Sequence, residues 1–249
     1  MSKKVALITG ASRGIGRATA LLLARHGYQV CVNFNKNEIE AKDVVQQISD
    51  SGGYAISIKA DIADEKQVIQ MFEVIDDKFG QLDVLVNNAG ILFTQCTIAE
   101  LDSTRMNKIF MTNITGTILC AREAVKRMSL KTGGHGGAIV NLSSRAAVLG
   151  SPHEYLDYAA SKGAIDTFTI GLAREVADQG IRVNAVRPGL IYTDMHADGG
   201  EKSRVERLSQ SVPLQRGGYP EEVAEAIYWL VSAKAAFTTG TFIDVSGGR

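Results

Sequence analysis

Short apolar runs rich in β-branched residues alternate with longer amphipathic stretches along the chain, and this alternation constrains the fold more than any other feature. Residues 5–9, 29–34, 54–59, 84–86, 137–142, 181–186 and 241–245 read as strands. The stretch from about residue 14 to 26, and those at 38–51, 64–79, 155–179 and 221–232, read as helices; 102–128 holds one or two more. Strand then helix, repeated, builds right-handed crossovers between parallel strands. The strands are apolar on both faces, as buried parallel strands are. The expected architecture is α/β, a doubly wound, mostly parallel seven-stranded sheet with helices on both faces. No solenoid repeat or low-complexity linker interrupts the 249 residues, so one domain over 1–249 is expected. The loosest stretch, polar and glycine-containing at 193–216, reads as a lid within it.

Bulk properties exclude several functions. Lys plus Arg and Asp plus Glu each number 27, so the net charge is zero. A general nucleic-acid binder needs a basic excess to neutralise phosphates. Cys31, Cys96 and Cys120 form no CxxC pair and no metal-like cluster with the four histidines. No metal is expected, and reduced cysteines fit a cytoplasmic location. The chain enters its first strand-like run without an apolar signal region, and no apolar run is long enough to span a bilayer.

The first strand runs into Gly10-Ala11-Ser12-Arg13-Gly14-Ile15-Gly16, and a helix follows. Glycines let backbone approach a pyrophosphate closely and let the helix pack tightly on the sheet. The helix N-terminus offers free N–H groups and partial positive charge. In this place the turn points to a dinucleotide site and a Rossmann-like fold. Its spacing is Gly-x-x-x-Gly-x-Gly, and further motifs follow in order. They are Asp61 after the third strand, Asn87-Asn88-Ala89-Gly90 after the fourth, Asn113 in a later helix, Ser143-Ser144 after the fifth strand, Tyr158-Ala159-Ala160-Ser161-Lys162 opening the next helix, and Pro188-Gly189 after the sixth. On these residues, which cover nearly the whole chain, the sequence resembles the short-chain dehydrogenase/reductase family.

The residues also bear on the cofactor. A site that prefers NAD usually carries a carboxylate at the end of the second strand, to bind the adenosine ribose. Here Val32-Asn33-Phe34-Asn35-Lys36 has none before Glu38. Arg13 and Lys36 could pair with a 2′-phosphate, Arg with the better fork geometry; the weaker alternative is that they are solvated surface charges. NADP(H) is expected, with NAD(H) the second choice, since the neutral Asn33 excludes neither. The resemblance implies that Asp61 accepts from the adenine amino group beside the Ile62 backbone. Asp61 could instead cap the helix starting near residue 64. The resemblance also places Gly10, Ser12, Gly14, Ile15, Gly16, Asn87, Ala89 and Gly90 around the cofactor, with Pro188, Gly189, Ile191 and Thr193 at its nicotinamide and phosphate end.

Tyr158 and Lys162 are four apart on a helix and so share one face. Reducing a carbonyl needs a proton delivered to oxygen as hydride reaches carbon. A nearby ammonium should lower the phenol pKa towards the working range. The resemblance implies Tyr158 as general acid/base, Lys162 on the nicotinamide ribose, Ser144 on the substrate oxygen, and Asn113 holding a water that leads to Lys162. Ser143 and Ser144 cannot both face the substrate, because side chains alternate along a strand; the family pattern selects Ser144. Tyr155 is set aside because only Tyr158 has a lysine four residues on. The loop around 151–155 looks about one residue longer than in many members and is read as shaping the pocket. His153 and His196 either border the pocket or are solvated loop residues, and the second reading is favoured. The expected function is an oxidoreductase moving hydride between NADP(H) and a small carbonyl or secondary alcohol. A cofactor-binding regulator without turnover is the alternative. By resemblance the chain should form a homotetramer or a homodimer.

Overall fold

A computed structural model describes residues 3–249. In chain order β1 (Val5–Ile8), α1 (Gly14–Arg25), β2 (Gln29–Phe34), α2 (Glu38–Asp50), β3 (Tyr54–Lys59), α3 (Glu65–Phe79) and β4 (Val84–Asn87) form the first half. Then come α4 (Ser103–Phe110), α5 (Thr117–Met128), β5 (Gly137–Leu142), α6 (Ala146–Leu149) and α7 (Leu156–Glu175). The last part holds β6 (Ile181–Pro188), α8 (Met195–Asp198), α9 (Arg204–Leu208), α10 (Pro220–Val231) and β7 (Phe242–Val245). The strands make one seven-stranded sheet in the order β3-β2-β1-β4-β5-β6-β7. Every pairing is parallel, so the expected "mostly parallel" sheet is parallel throughout.

Alternation along the strands divides the core into two layers. Ala6, Ile8, Val30, Val32, Val84 and Val86 pack under α1, α2 and α10. Val5, Leu7, Cys31, Leu85, Ile139 and Val183 pack under α3, α5 and α7. Both faces are covered, which accounts for the unbroken apolar strands in the sequence. Buried amides run through the second layer: Asn87 Nδ2 donates to Asn141 Oδ1 at 2.9 Å, and Asn141 Nδ2 donates to Thr169 Oγ1 at 2.9 Å. These bonds pin β4, β5 and α7 to one another.

The stretch at 102–128 is two helices joined by a π-helical turn, Met111–Gly116. The widened turn carries Asn113, and such turns gather at functional sites. The segment 193–216 contains the short helices α8 and α9 instead of featureless loop. The strand order reverses between β1 and β4, so a crevice opens at their carboxyl ends, where ligands bind in sheets of this kind. All three cysteines are free; Cys31 and Cys120 are buried and Cys96 is partly exposed.

Candidate active site

The turn after β1 is held open by glycine. Gly10 and Gly14 have φ of +62° and +54°, a region that side chains rarely tolerate. A Cβ at Gly16 would lie 2.5 Å from the Gly10 carbonyl, so α1 can sit this close only without one. The N-terminus of α1 carries no side-chain cap and no acidic residue in its first turn. By contrast Asp64 caps α3, accepting from the Lys66 and Gln67 amides. The uncapped N–H groups of α1 are therefore free to meet an anion, and a pyrophosphate fits this turn.

Thr9 and Asn88 fix the turn. Thr9 Oγ1 accepts from the Asn88 and Ala89 amides, each at 3.0 Å, and Asn88 Nδ2 donates to the Thr9 and Gly10 carbonyls. Asn88 also lines the cavity that holds Tyr158. Its role was missed in the sequence, although it lies inside a quoted motif. Thr193 stands beside the turn, its Cγ2 at 3.4 Å from where a Gly14 Cβ would be. Lys36 is exposed at the end of β2. Arg13 is half-exposed and ion-paired with Asp198 of α8, which ties the segment 193–216 to the phosphate turn.

Two expected cofactor contacts turn inward. Asn33, expected near the adenosine ribose, is buried: its Oδ1 accepts from the Gly10 amide, and its Nδ2 donates to the Ile58 and Ala60 carbonyls. Its parity along β2, the same as Cys31, turns it into the sheet. Asn87 is likewise buried, its amide nitrogen taken by Asn141 and the Thr117 carbonyl, so its side chain stays away from the cavity. Asp61 does not cap α3. One of its oxygens accepts from the Ala63 amide in the preceding turn. Ile62 is buried, with its side chain and carbonyl against Gly116 of the π-helical turn.

Ser144, Tyr158, Lys162, Pro188, Gly189, Ile191 and Thr193 come together on one cavity of about 440 Å³, which Ile15 of the phosphate turn also lines. Tyr158 is the third residue of α7, and Lys162 follows one turn later. The Lys162 ammonium lies 5.6 Å from the Tyr158 ring centroid and donates to the Leu142 carbonyl at 2.6 Å. Ser143 is turned away, its hydroxyl donating to the Lys162 carbonyl at 3.3 Å, which leaves Ser144 to face Tyr158. Burial pushes the Tyr158 phenol up to about 12, opposed by its hydrogen bond with Ser144. The expectation of a phenol lowered by Lys162 is thus not met in the protein alone: desolvation outweighs the Ser144 hydrogen bond. Burial also brings Lys162 down to about 8, with Asp166 opposing.

Asn113 is fully buried. Its Oδ1 accepts from the Ile91 amide at 2.8 Å, and its Nδ2 donates to the Ile91 carbonyl and to Ser161 Oγ. A Cβ at Gly90 would lie 3.5 Å from both Asn113 Oδ1 and Lys162 Nζ, so Gly90 leaves these two groups room on the same side.

The outer wall is mostly apolar, with Leu92, Leu149, Pro152, Tyr155 and Met195 among its residues. Tyr155 is buried, and its hydroxyl donates to the Gly199 carbonyl at 3.1 Å. Glu154 pairs with the buried Arg204 of α9, and the Glu154 carbonyl accepts from the Cys96 amide at 3.1 Å. The loop before α7 is therefore fastened to the segment 193–216. Ser151 and His153 in that loop have positive φ, +47° and +61°, an uncommon conformation for non-glycine residues. His196 lines the cavity and its Nε2 donates to the Ile191 carbonyl at 2.9 Å, so it borders the pocket and is not the solvated loop residue favoured from the sequence; burial lowers its pKa. His153 is exposed. Among the described residues no cluster of His, Cys, Asp or Glu is placed to hold a metal ion, and no helix is long and apolar enough to cross a membrane.

Comparison with known proteins agrees with this geometry. A family model described as enoyl-(acyl carrier protein) reductase matches residues 10–249. An uncharacterised oxidoreductase of Escherichia coli K12, YgfF, is 62% identical over 98% of this chain and 99% of its own. The crystal structure of a short-chain type dehydrogenase/reductase from Mycobacterium marinum superposes with a TM-score of 0.92 at 33% identity, over 99% of this chain and 95% of that one. The structure of 3-ketoacyl-(acyl-carrier-protein) reductase from Brucella melitensis complexed with NADH gives a TM-score of 0.91 at 32% identity, over 100% and 98%.

Proposed function

The chain belongs to the short-chain dehydrogenase/reductase family of oxidoreductases, and from that premise we propose that it reduces a carbonyl compound with NADPH, or oxidises the matching secondary alcohol, with Tyr158 as general acid/base. The observation that carries the reading is the meeting of Ser144, Tyr158 and Lys162 on one cavity that the phosphate turn also lines. The bound nicotinamide supplies or accepts the hydride. In the reducing direction Ser144 holds the carbonyl oxygen by a hydrogen bond, and Tyr158 gives that oxygen its proton. The phenol stays protonated near neutral pH, since burial holds it at about 12, and so it stands ready as a donor. Lys162 binds the nicotinamide ribose. Its charge beside the phenolate eases the return of a proton, which reaches Lys162 through a water held by Asn113.

Arg13 and Lys36, with no carboxylate at the end of β2, favour NADP(H). NAD(H) stays the second choice, and the Brucella relative was solved with NADH. Gly10, Ser12, Gly14, Ile15, Gly16, Asp61, Ile62, Ala89 and Gly90 are proposed around the adenosine and pyrophosphate. Pro188, Gly189, Ile191 and Thr193 are proposed at the nicotinamide end. Among carbonyl compounds, 3-oxoacyl thioesters are the first substrate class to try, given the activity named for that relative and the apolar outer wall. We read the chain as one domain in which 193–216 is a lid. Exposed Met111, Ile118 and Ile170 on neighbouring helices support a homotetramer or homodimer. The free cysteines fit a cytoplasmic location.

The test is oxidation of NADPH and NADH, side by side, against a carbonyl panel. The wild type should consume NADPH with some members of the panel. Tyr158→Phe should still bind cofactor but lose about 10²-fold or more in turnover, the contribution typical of a positioned proton donor. Full activity in Tyr158→Phe would remove Tyr158 from the mechanism. Tight binding with no turnover on any carbonyl would favour the regulator instead.

A further inference from the structure

The first turn of α7 carries Tyr158, and helix ends fray unless something holds them. The residue before the helix, Tyr155, offers no side-chain cap. The holding group is Asp157, whose side chain is 0% exposed. Its Oδ1 accepts from the Tyr158 amide at 2.9 Å. Arg105 of α4 grips the same carboxylate, with Nε to Oδ2 at 2.6 Å and Nη2 to Oδ1 at 3.4 Å. Its third nitrogen, Nη1, donates to the Thr94 carbonyl at 2.5 Å, on the segment that follows the cavity-wall residue Leu92. Arg105 is itself seated by Asp102, whose Oδ1 accepts the Arg105 amide at 2.8 Å.

We propose that Arg105, acting through Asp157, is a positioning residue for Tyr158. It fixes the height and rotation of the first turn of α7 against α4 and the Leu92 wall. The inference rests on the reading of Tyr158 as general acid. A buried ion pair is a poor way to gain stability alone, because apolar residues of the same volume usually serve as well or better. What it supplies is directional geometry: three rigid donors and one carboxylate join α4, the 92–97 segment and the Tyr158 amide. The phenol must meet a carbonyl oxygen within a few tenths of an ångström, and a displacement of about 1 Å can reduce the rate about 10²-fold.

Removing one partner alone would strand a buried charge, so the main variant changes both, Arg105→Gln with Asp157→Asn. It keeps the volume and an acceptor for the Tyr158 amide but loses the rigid fork. Arg105→Lys and Tyr158→Phe complete the set. The probe is acetoacetyl-coenzyme A with NADPH deuterated at the transferred position, and kcat is counted per bound cofactor. The double variant should bind NADPH as the wild type does and lose about 10- to 100-fold in kcat with little change in KM. Its primary isotope effect on kcat should rise as the chemical step becomes limiting. Arg105→Lys should fall between the two. A merely structural pair would lower the melting temperature and leave kcat per site and the isotope effect unchanged, which overturns the proposal. Crystals of the double variant give an independent reading if the thioester is not turned over. The Tyr158 oxygen should move by about 0.5 Å or more from Ser144, and an unmoved phenol overturns the proposal too. If Tyr158→Phe keeps full activity, the reading of Tyr158 fails; if it loses activity while the double variant keeps wild-type kcat, only the positioning role fails.

Discussion

At the scale of the residue, the decisive groups are charged or polar side chains held out of water. Lys162 is the clearest case. Its ordinary pKa is 10.5, and burial brings it to about 8 in the folded chain. Holding the ammonium there opposes folding. The penalty is fully present below pH 8 and fades as the pH rises from 8 to 10.5, because over that range the unfolded chain binds the proton and the folded chain does not. One pKa unit is worth about 1.4 kcal/mol, so the penalty is about 3 kcal/mol. Lys162→Met should therefore be more stable than the wild type at pH 7, and the difference should shrink by about that amount by pH 10.5. Urea unfolding of both chains across this range checks it; a pH-independent difference would show that Lys162 is not held in a charge-averse site. The same residue illustrates why polar roles were only partly legible. Tyr158, Lys162, Ser144 and Asn113 could be placed by spacing and resemblance. Asn33, Asn87 and Asn88 all read as amides near a turn, and only the packing around them separates two interior ties from one cavity residue.

At the scale of the element, the long strands and helices were legible because their apolar periods are set by burial, and most boundaries shifted by only a residue or two. The exceptions are short. α6, α8 and α9 have four or five residues each, too few to be stable by propensity, and exist through tertiary contacts. In α9 that contact is the buried Arg204 on Glu154, a pairing across fifty residues that no local pattern displays. The parallel direction of the edge strand β7 and the π-helical turn were also beyond periodicity. The segment 193–216, proposed as a lid, makes its own prediction. Asp198 of α8 occupies Arg13, the cation proposed for the 2′-phosphate, so NADPH must compete with a carboxylate that NADH need not displace. Exposed ion pairs contribute up to about 1 kcal/mol, so Asp198→Asn should tighten NADPH about threefold and leave NADH unchanged. Fluorescence titration of both cofactors measures it, and equal changes for the two would count against Arg13 as the phosphate group.

At the scale of the whole molecule, the sheet puts the glycine-rich turn, the Tyr158 end of α7 and the segment 193–216 together at the carboxyl ends of its strands and leaves the helix faces outside. Those of α5 and α7 expose Ile118 and Ile170, each at 38%. If these faces meet their copies in the proposed assembly, sedimentation should give a multiple of 26.7 kDa, and Ile118→Arg with Ile170→Arg should return a single chain. A wild type that sediments as one chain at working concentration would end that reading. The cysteines have a practical use at this scale. Cys31 and Cys120 both lie inside the core layer under α3, α5 and α7, while Cys96 is partly exposed on the strip of chain that bonds to the Glu154 carbonyl at the cavity rim. Thiol-reactive dyes should therefore attach selectively at Cys96, with no engineering of the sequence. A fluorophore there would sit beside the anchor of the segment 193–216, and the native chain would carry its own optical reporter of what enters and leaves the site.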